Sequence, residues 1–260
     1  MRPGYQSVIP YLILSGGARS FVEFTKQVFR ATERMIVPAS DGTVVHGELI
    51  IGDSVIEFAD ASDQFPPRPA PLHHYVRDVD EVFARGLAAG ATSLYAVTDQ
   101  DYGDREGGLK DPFGNIWFVA THKGAGYRPD GLHDVTPYLH VDGADRLMTF
   151  LQQAFGAEAT ECFRDPDRVA HARMRIGDSC IEFSDAHAQW KPFPVSIQLY
   201  VDSADAIWER SLKAGATGEF PPATKPYGDR MAGVRDFAGN QWFLSEYVGG
   251  ESEVSSGAQQ

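Results

Sequence analysis

Residues 51–60 read Ile-Gly-Asp-Ser-Val-Ile-Glu-Phe-Ala-Asp, and the chain repeats them 125 positions later, at 176–185, as Ile-Gly-Asp-Ser-Cys-Ile-Glu-Phe-Ser-Asp. Between 46–60 and 171–185, nine of fifteen positions are identical. A Gly-Asp pair between two apolar runs is typical of a two-residue turn, so each stretch predicts a β-hairpin. The chain is therefore one unit written twice.

Two further motifs return at the same offset. Tyr-Gly-Asp-Arg at 102–105 recurs at 227–230, and Asp-Pro-Phe-Gly-Asn-Ile-Trp-Phe at 111–118 recurs as Asp-Phe-Ala-Gly-Asn-Gln-Trp-Phe at 236–243. Hydrophobic periodicity in each unit gives a strand, a helix and three strands, twice over. The sequence predicts an α+β fold of tandem duplicated units. In each unit, two βαβββ modules form a curled mixed sheet cup with helices on its outer face.

The boundaries of the units follow from composition. We expect a first domain at 1–123, a linker at 124–131 that is rich in Gly and Pro, and a second domain at 132–248. The polar tail at 249–260 is expected to be disordered. Within the first unit, the strand after the Tyr-Gly-Asp-Arg motif is expected at 107–110.

Composition excludes several classes of partner. The 260 residues carry a formal net charge of −13, which argues against binding to nucleic acid or to an anionic membrane. No apolar run approaches the roughly 20 residues of a membrane-spanning helix, and no signal-peptide pattern is present. The two cysteines, Cys162 and Cys180, make neither a metal motif nor a disulfide framework. We expect a cytoplasmic protein.

One face of the first hairpin carries the chemistry. Side chains alternate along a strand, so His46 and Glu48 share a face, and the two-residue turn places Glu57 directly opposite Glu48. Two facing carboxylates repel, and one should have a raised pKa unless a cation intervenes. Glu57 and His46 are thus candidate catalytic residues. The alternative is that His46 only hydrogen-bonds the sheet or a nearby loop.

The second hairpin differs at one decisive position. Its corresponding face carries His171, Arg173 and Glu182, and Arg173 is expected to form a cross-strand ion pair with Glu182. The first unit is therefore predicted to bind the ligand, while the second is neutralised internally.

Other candidates come from the remaining strands and loops. His74 and Trp117 are expected in the core. Arg105, in a glycine-rich loop, either holds an anionic substrate or braces its loop against a nearby Asp. The predicted substrate-binding residues are Tyr11, Glu48, His73, Tyr75, Tyr102, Arg105, Phe118, Tyr138, His171, Arg173 and Glu182.

These three motifs, in order and twice, resemble the vicinal oxygen chelate superfamily of glyoxalases, bleomycin-resistance proteins and extradiol dioxygenases. The resemblance covers residues 5–123 and 132–248. It implies that paired modules form a cup in which a divalent metal is chelated by substrate oxygens.

The metal ligands that the resemblance implies are mostly missing. Only the glutamate of the fourth strand is kept, as Glu57 and Glu182. The other three positions fall on Ile9 and Thr136, on Pro71 and Ser196, and on Phe118 and Phe243. We predict no metal at the usual position, although a divalent metal remains possible elsewhere. The first cup is expected to hold a small aromatic or heterocyclic ligand among Tyr11, His46, Glu48, Glu57, His73, Tyr75 and Phe118.

Three functions remain open. The first is a small-molecule-binding protein with a largely degenerate metal site, such as a drug-sequestering protein of the bleomycin-resistance kind. The second is a metal-dependent lyase, isomerase or dioxygenase with a rearranged site made of His46, Glu48 and Glu57. The third is a metal-free enzyme with Glu57 or His46 as general base. Four modules in one chain allow a monomer, and a homodimer is the alternative.

Overall fold

The structure, a computed structural model, describes residues 2–187 and 189–249, so the prediction for the tail lies almost entirely outside the described residues. Four modules follow one another, each with one helix and four strands. In chain order the elements are β1 (Val8–Leu14), α1 (Ala18–Phe29), β2 (Thr32–Pro38), β3 (Val44–Ile51), β4 (Ser54–Asp60), β5 (Pro71–Tyr75), α2 (Val79–Ala88), β6 (Thr92–Asp99), β7 (Asp104–Lys110), β8 (Ile116–His122), β9 (Val135–Val141), α3 (Ala144–Phe155), β10 (Glu158–Asp165), β11 (Arg168–Ile176), β12 (Ser179–Asp185), β13 (Ser196–Tyr200), α4 (Ala204–Lys213), β14 (Thr217–Thr224), β15 (Asp229–Arg235) and β16 (Gln241–Tyr247).

The strands form two mixed eight-stranded sheets, which confirms the predicted α+β fold of tandem βαβββ modules. The first sheet has the order β14-β15-β16-β13-β1-β4-β3-β2, and the second has the order β10-β11-β12-β9-β5-β8-β7-β6. The first module thus shares a sheet with the fourth, and the second shares one with the third. Each sheet takes four strands from each half of the chain, so residues of both halves meet on one sheet face.

The predicted hairpin turns are confirmed. Ile51 pairs with Ser54 across Gly52-Asp53, and Gly52 adopts φ 60°, a left-handed conformation that glycine adopts without strain. The tip of this hairpin reaches the other sheet, since the Asp53 carboxylate accepts a hydrogen bond from Asp134 N at 2.8 Å. One expected boundary is wrong. The strand predicted at 107–110 begins at Asp104, because the register continues to His122 through glycines that carry no strand signal.

The helices cover one face of each sheet, as predicted. Asp78 caps α2 by accepting a hydrogen bond from Glu81 N at 2.9 Å. On α1, the ring of Phe21 lies 5.4 Å from that of Phe58, which projects from β4 toward the helix. Trp117 is fully buried and His74 lies beside it, so both predicted core residues are confirmed. No helix of the described chain is long and apolar enough to cross a membrane.

The third repeated motif is a buried turn. The Asp111 carboxylate accepts hydrogen bonds from the backbone of Phe113 and Asn115 and from the indole of Trp117 at 2.9 Å. Asp236 repeats this arrangement at the fourth module. The motif therefore fixes the connection into the last strand of a module, and its repetition reflects folding rather than ligand binding.

Candidate functional site

We call the face of the first sheet that carries Glu57 the first cup, and the face of the second sheet that carries Glu182 the second cup. Both faces lie opposite the helices, because Phe58 and Phe183, the next residues along each strand, belong to the helix-side core. Glu57 pairs in register with Glu48 on β3, as predicted, and with Tyr11 on β1.

Glu57 is a buried carboxylate without a partner. It is 4% exposed, and no side chain of the described chain donates a hydrogen bond to it or forms an ion pair with it. Burial raises its pKa to about 7, and the charges of Glu48 and Asp229 act in the same direction. His46 and Arg2 act in the opposite direction without overcoming the effect of burial. Glu57 therefore presents its carboxyl group to the interior of the cup.

Glu48, by contrast, is fully engaged. It is 1% exposed and accepts hydrogen bonds from Tyr5 at 2.7 Å and from His46 Nε2 at 3.1 Å, while Arg34 Nε lies 3.4 Å away. Burial opposes ionisation of Glu48, but the His46 and Tyr5 hydrogen bonds outweigh it and lower its pKa. The repulsion expected between Glu48 and Glu57 is thus resolved unequally, since Glu48 has the partners and Glu57 has none.

A third carboxylate, Asp229, lies on β15 and comes from the other half of the chain. Its Oδ2 accepts long hydrogen bonds from Tyr200 at 3.4 Å and Arg2 at 3.5 Å. Its Oδ1 is buried and has no hydrogen-bond partner among the described residues. Burial raises the pKa of Asp229, as it does for Glu57.

The second cup holds a closed network of ions. His73 Nδ1 lies 2.8 Å from Glu182, and its Nε2 lies 3.4 Å from Glu106. Arg173 donates two hydrogen bonds to Glu182, at 3.0 and 3.1 Å, which confirms the predicted ion pair. Burial opposes the charge on each group, yet Glu182 and Glu106 raise the pKa of His73 to about 10, and His73, His171 and Arg173 lower that of Glu182 to about 2.

Aromatic side chains fill the space above this network. The ring of Trp190 is stacked on that of His140 at 5.3 Å, and Phe118 lies edge-on to Trp190 at 5.2 Å and to Tyr138 at 5.3 Å. In the first cup the corresponding connection supplies Phe65, whose ring lies 6.0 Å from Phe243. The second cup is thus packed with its own side chains, and Phe65 stands in the first cup where the larger indole of Trp190 stands in the second.

The structure separates residues that were expected to share one cup. Tyr11, His46, Glu48 and Glu57 come together in the first cup, where Tyr11 Oη lies 3.4 Å from His46 Nδ1. His73, Tyr75 and Phe118 instead line the second cup with Tyr138, His171, Arg173 and Glu182. The expectation that His73, Tyr75 and Phe118 line the cup of Glu57 is wrong, because β5 pairs with β9 of the third module and β8 pairs with β5.

The loop candidates also differ from expectation. Arg105 forms a bidentate pair with Asp80 at 2.7 Å and contacts Asp99, so it braces α2 at the surface and does not reach a cup. Its assignment to substrate binding is therefore wrong, and the bracing alternative holds. Tyr102 is 59% exposed and lies in the electrostatic field of Glu106, at the rim of the second cup.

The residues do not fit the metal site that the resemblance implies. Within residues 2–187 and 189–249, no three His, Cys, Asp or Glu side chains form a group that could hold a metal ion. In particular, His46 and Glu48 bind each other and do not converge on Glu57. The carboxyl groups of Glu57 and Asp229 are thus the ones with unused oxygens, while the imidazole of His46 is bound to Glu48 and does not join them in a chelating set.

Several site residues were missed from the sequence. Arg2, Tyr5 and Arg34 approach the first cup from the chain start and from β2, where no motif marks them. Asp229 belongs to the repeated Tyr-Gly-Asp-Arg motif, and Trp190 corresponds to Phe65 at the repeat offset of 125. Those two positions carried a signal, because one lies in a repeated motif and the other differs between the aligned units.

Comparisons with known proteins agree with this architecture. The sequence profile described as Glyoxalase/Bleomycin resistance protein/Dioxygenase superfamily matches residues 131–244. An uncharacterized protein of Mycobacterium bovis is 35% identical over 119 residues, which is 42% of this chain and 78% of that protein. An uncharacterized protein of Mycobacterium tuberculosis is 35% identical over 119 residues, 42% of this chain and 69% of that protein.

Solved structures extend the likeness to nearly the whole chain. A mutant of glyoxalase I from Zea mays superposes with a TM-score of 0.73 at 13% identity, covering 93% of this chain and 94% of that one. A putative dioxygenase from Bacillus subtilis gives a TM-score of 0.62 at 13% identity, covering 95% and 87%. Identities this low show the fold alone. The profile match, the repeated modules and the shared fold agree, and the chain therefore belongs to the glyoxalase/bleomycin resistance protein/dioxygenase superfamily.

Proposed function

We propose that this protein binds a small molecule in the first cup, with Glu57 as the group that holds it. One observation carries the proposal: Glu57 is a buried carboxyl group without a hydrogen-bond partner in the described chain. Burying such a group costs free energy unless something satisfies it. Perturbed carboxyl groups in a concave, aromatic setting are typical of binding and catalytic sites.

The walls of the first cup suit a compact, partly aromatic ligand. The ring of Tyr11 lies 5.2 Å from that of Phe243, which in turn lies 6.4 Å from Phe220. These rings offer stacking surfaces, while Glu57 and the hydroxyl of Tyr11 provide polar contacts. The second cup offers less, because His73 and Arg173 already bind Glu182 there, and because the indole of Trp190 is larger than the ring of Phe65.

The test compares Glu57→Gln with Glu182→Gln, which alters the corresponding residue of the second cup. A library of aromatic small molecules is screened by native mass spectrometry, and circular dichroism verifies that each variant is folded. We expect Glu57→Gln to weaken binding at least about tenfold, because a hydrogen bond to a charged group contributes roughly 1.5–3 kcal/mol. Equal weakening by both variants, or stronger weakening by Glu182→Gln, would contradict the proposal.

A metal-free enzyme is the second candidate, and the raised pKa of Glu57 favours it. A carboxyl group with a pKa of about 7 can both accept and donate a proton at neutral pH, and the hydroxyl of Tyr11 lies 3.4 Å from His46 as a route for that proton. NMR in D₂O distinguishes the two functions, because a general base exchanges a proton on the bound molecule for deuterium. If the wild type exchanges a proton of the bound molecule for deuterium, and Glu57→Gln binds the molecule without that exchange, the protein is an enzyme.

A further inference from the structure

We propose that the ligand of the first cup carries a positively charged nitrogen, an amine or amidine, which binds between Glu57 and Asp229. This inference rests on the proposed function and names the ligand class. Its first basis is that both carboxylates retain unused acceptors: Glu57 has no partner in the described chain, and Oδ1 of Asp229 is buried and unpaired there. A nitrogen with several N–H groups satisfies two such acceptors at once.

The second basis is the comparison between the cups. In the second cup the corresponding acceptors are satisfied by the protein: Glu182 binds His73 and Arg173, and Asp104 binds Tyr75 at 2.8 Å and His122 at 2.6 Å. At the repeat offset of 125, the donors of the second cup are replaced in the first. His73 becomes Gln198, Arg173 becomes Glu48 and His122 becomes Tyr247. The first cup has therefore kept the acceptors and lost the cationic donors, so a cation from solution fits where the protein's own are missing.

The third basis is the balance of charge. Arg2 and Arg34 are the fixed cations beside three carboxylates, Glu48, Glu57 and Asp229. Burial opposes the charge of His46, but Glu48 and Glu57 outweigh it and raise its pKa. The cup therefore has an excess of negative charge only when His46 has lost its proton and Glu57 is ionised. Both arginines are already engaged, Arg34 with Glu48 and Arg2 with Tyr200 and Asp229. An anionic ligand would meet unpaired acceptors instead of donors.

Aromatic rings near the carboxylates also favour an organic cation. Tyr227 is 56% exposed on the loop before β15, and burial together with the charges of Asp229 and Glu57 raises its pKa to about 12. Its hydroxyl lies 2.8 Å from Sδ of Met231, which shares a strand face with Asp229. Tyr11 and Phe243 form the wall, and aromatic faces attract an ammonium or amidinium group. A bare divalent ion gains less from such a wall, and the described residues offer it no third strong ligand.

The experiment uses a fragment library of aromatic molecules sorted into cationic, neutral and anionic sets, with Zn²⁺ alone as a further probe. Binding is followed by the NMR signal of the Met231 methyl group, since Met231 lies in the first cup at the position of Glu106. Met174, fully buried on the helix side, reports any global change. We expect cationic fragments to shift the methyl signal of Met231 and not that of Met174. Glu57→Gln or Asp229→Asn should weaken the binding of these fragments at least about tenfold. Asp104→Asn, the matched change in the second cup, should leave the affinity within about twofold.

Each other outcome is decisive. If neutral or anionic fragments bind to the first cup better than cationic ones, the ligand class is wrong while the proposed function stands. Stoichiometric binding of Zn²⁺ that blocks the cationic fragments would replace the organic cation by a metal. If no fragment of any charge shifts Met231, both this inference and the proposed function are overturned. Asp229→Asn removes only a charge at a group whose pKa is already raised, so a folded variant is expected.

Discussion

His73 Nδ1 lies 2.8 Å from a carboxylate oxygen of Glu182, although the two residues are 109 positions apart and belong to different halves of the chain. At the corresponding place in the first cup, Gln198 stands where His73 does, and Glu57 has no ion-pair partner among the described residues. The same glutamate, repeated in both units, is thus an internal ion in one cup and an open acceptor in the other. Because the surroundings of Glu57 and Glu182 differ, replacing each by Gln should change the stability of the protein in opposite directions.

We expect Glu57→Gln and Glu182→Gln to change stability in opposite directions. Removing Glu182 leaves His73 and Arg173 buried without their common partner, and breaking such a network costs roughly 3–5 kcal/mol. Removing the charge of Glu57 relieves an uncompensated buried carboxylate, so at pH 8 the free energy of unfolding should rise by roughly 1–3 kcal/mol. Urea denaturation of both variants at pH 8 measures the two changes. A loss of stability in Glu57→Gln would show that the charged Glu57 is stabilised by a partner in the folded protein.

The stability of the protein should fall as pH rises from about 4.5 to about 7 because of Glu57. Its pKa is raised from 4.5 to about 7 in the folded protein, so over this window the folded state keeps a proton that the unfolded state loses. The groups that act on Glu57 are His46 and Glu48 on β3, Asp229 on β15 and Arg2. The stabilising contribution of protonated Glu57 is fully present below pH 4.5 and is lost as the pH passes through 7.

Melting temperatures of the wild type and Glu57→Gln between pH 4.5 and 8 provide the measurement. The melting temperature of Glu57→Gln should rise steadily relative to that of the wild type as the pH rises. Glu48→Gln is a useful comparison, because the pKa of Glu48 is lowered and its pH dependence has the opposite sign. A pH-independent difference between wild type and Glu57→Gln would mean that Glu57 titrates normally.

The sequence predicted the modules, the hairpins and the pairing of Glu48 with Glu57, because local periodicity and turn residues determine them. It predicted that the two modules of one unit share a sheet, whereas the first module pairs with the fourth and the second with the third, and β5 was therefore assigned to the wrong cup. That choice depends on contacts between distant strands, such as Tyr11 on β1 with Ser196 on β13, which no local pattern encodes. The partners of Glu48 were missed for the same reason, since Tyr5 reaches it across 43 positions.

The two units also differ in the core, at Gly47 and its counterpart Ala172. A Cβ at Gly47 would lie 2.3 Å from the ring of Phe58, which is fully buried against Phe21. We expect Gly47→Ala to cost roughly 1–3 kcal/mol, because the ring must move within a packed core. The reverse change, Ala172→Gly, should cost about 1–2 kcal/mol through backbone entropy and the loss of a buried methyl group. Guanidinium denaturation of both variants measures the two losses, and no loss in Gly47→Ala would mean that Phe58 moves aside freely.

Replacing His73 by Gln gives the second cup the residue that the first cup carries at position 198. The pKa of His73 is raised to about 10 by Glu182 and Glu106 against the effect of burial, so its stabilising contribution is fully present below pH 6.5. That contribution is lost as pH rises toward 10. The cost of His73→Gln should therefore be largest at pH 6, on the order of 3 kcal/mol, and should shrink steadily by pH 9.

Urea denaturation at pH 6, 7.5 and 9 measures this decline, and the carboxyl ¹³C shift of Glu182 measures a second consequence. With His73 gone, Arg173 remains as the permanent cation beside Glu182, so the pKa of Glu182 should rise from about 2 toward the ordinary value. The reciprocal variant, Gln198→His, should lower the pKa of Glu57, because it restores to the first cup the donor that the second cup has. If Gln198→His leaves Glu57 unchanged, the difference between the cups comes from Arg173 and Glu48 instead of His73 and Gln198. The functional asymmetry would then depend on the hairpins alone.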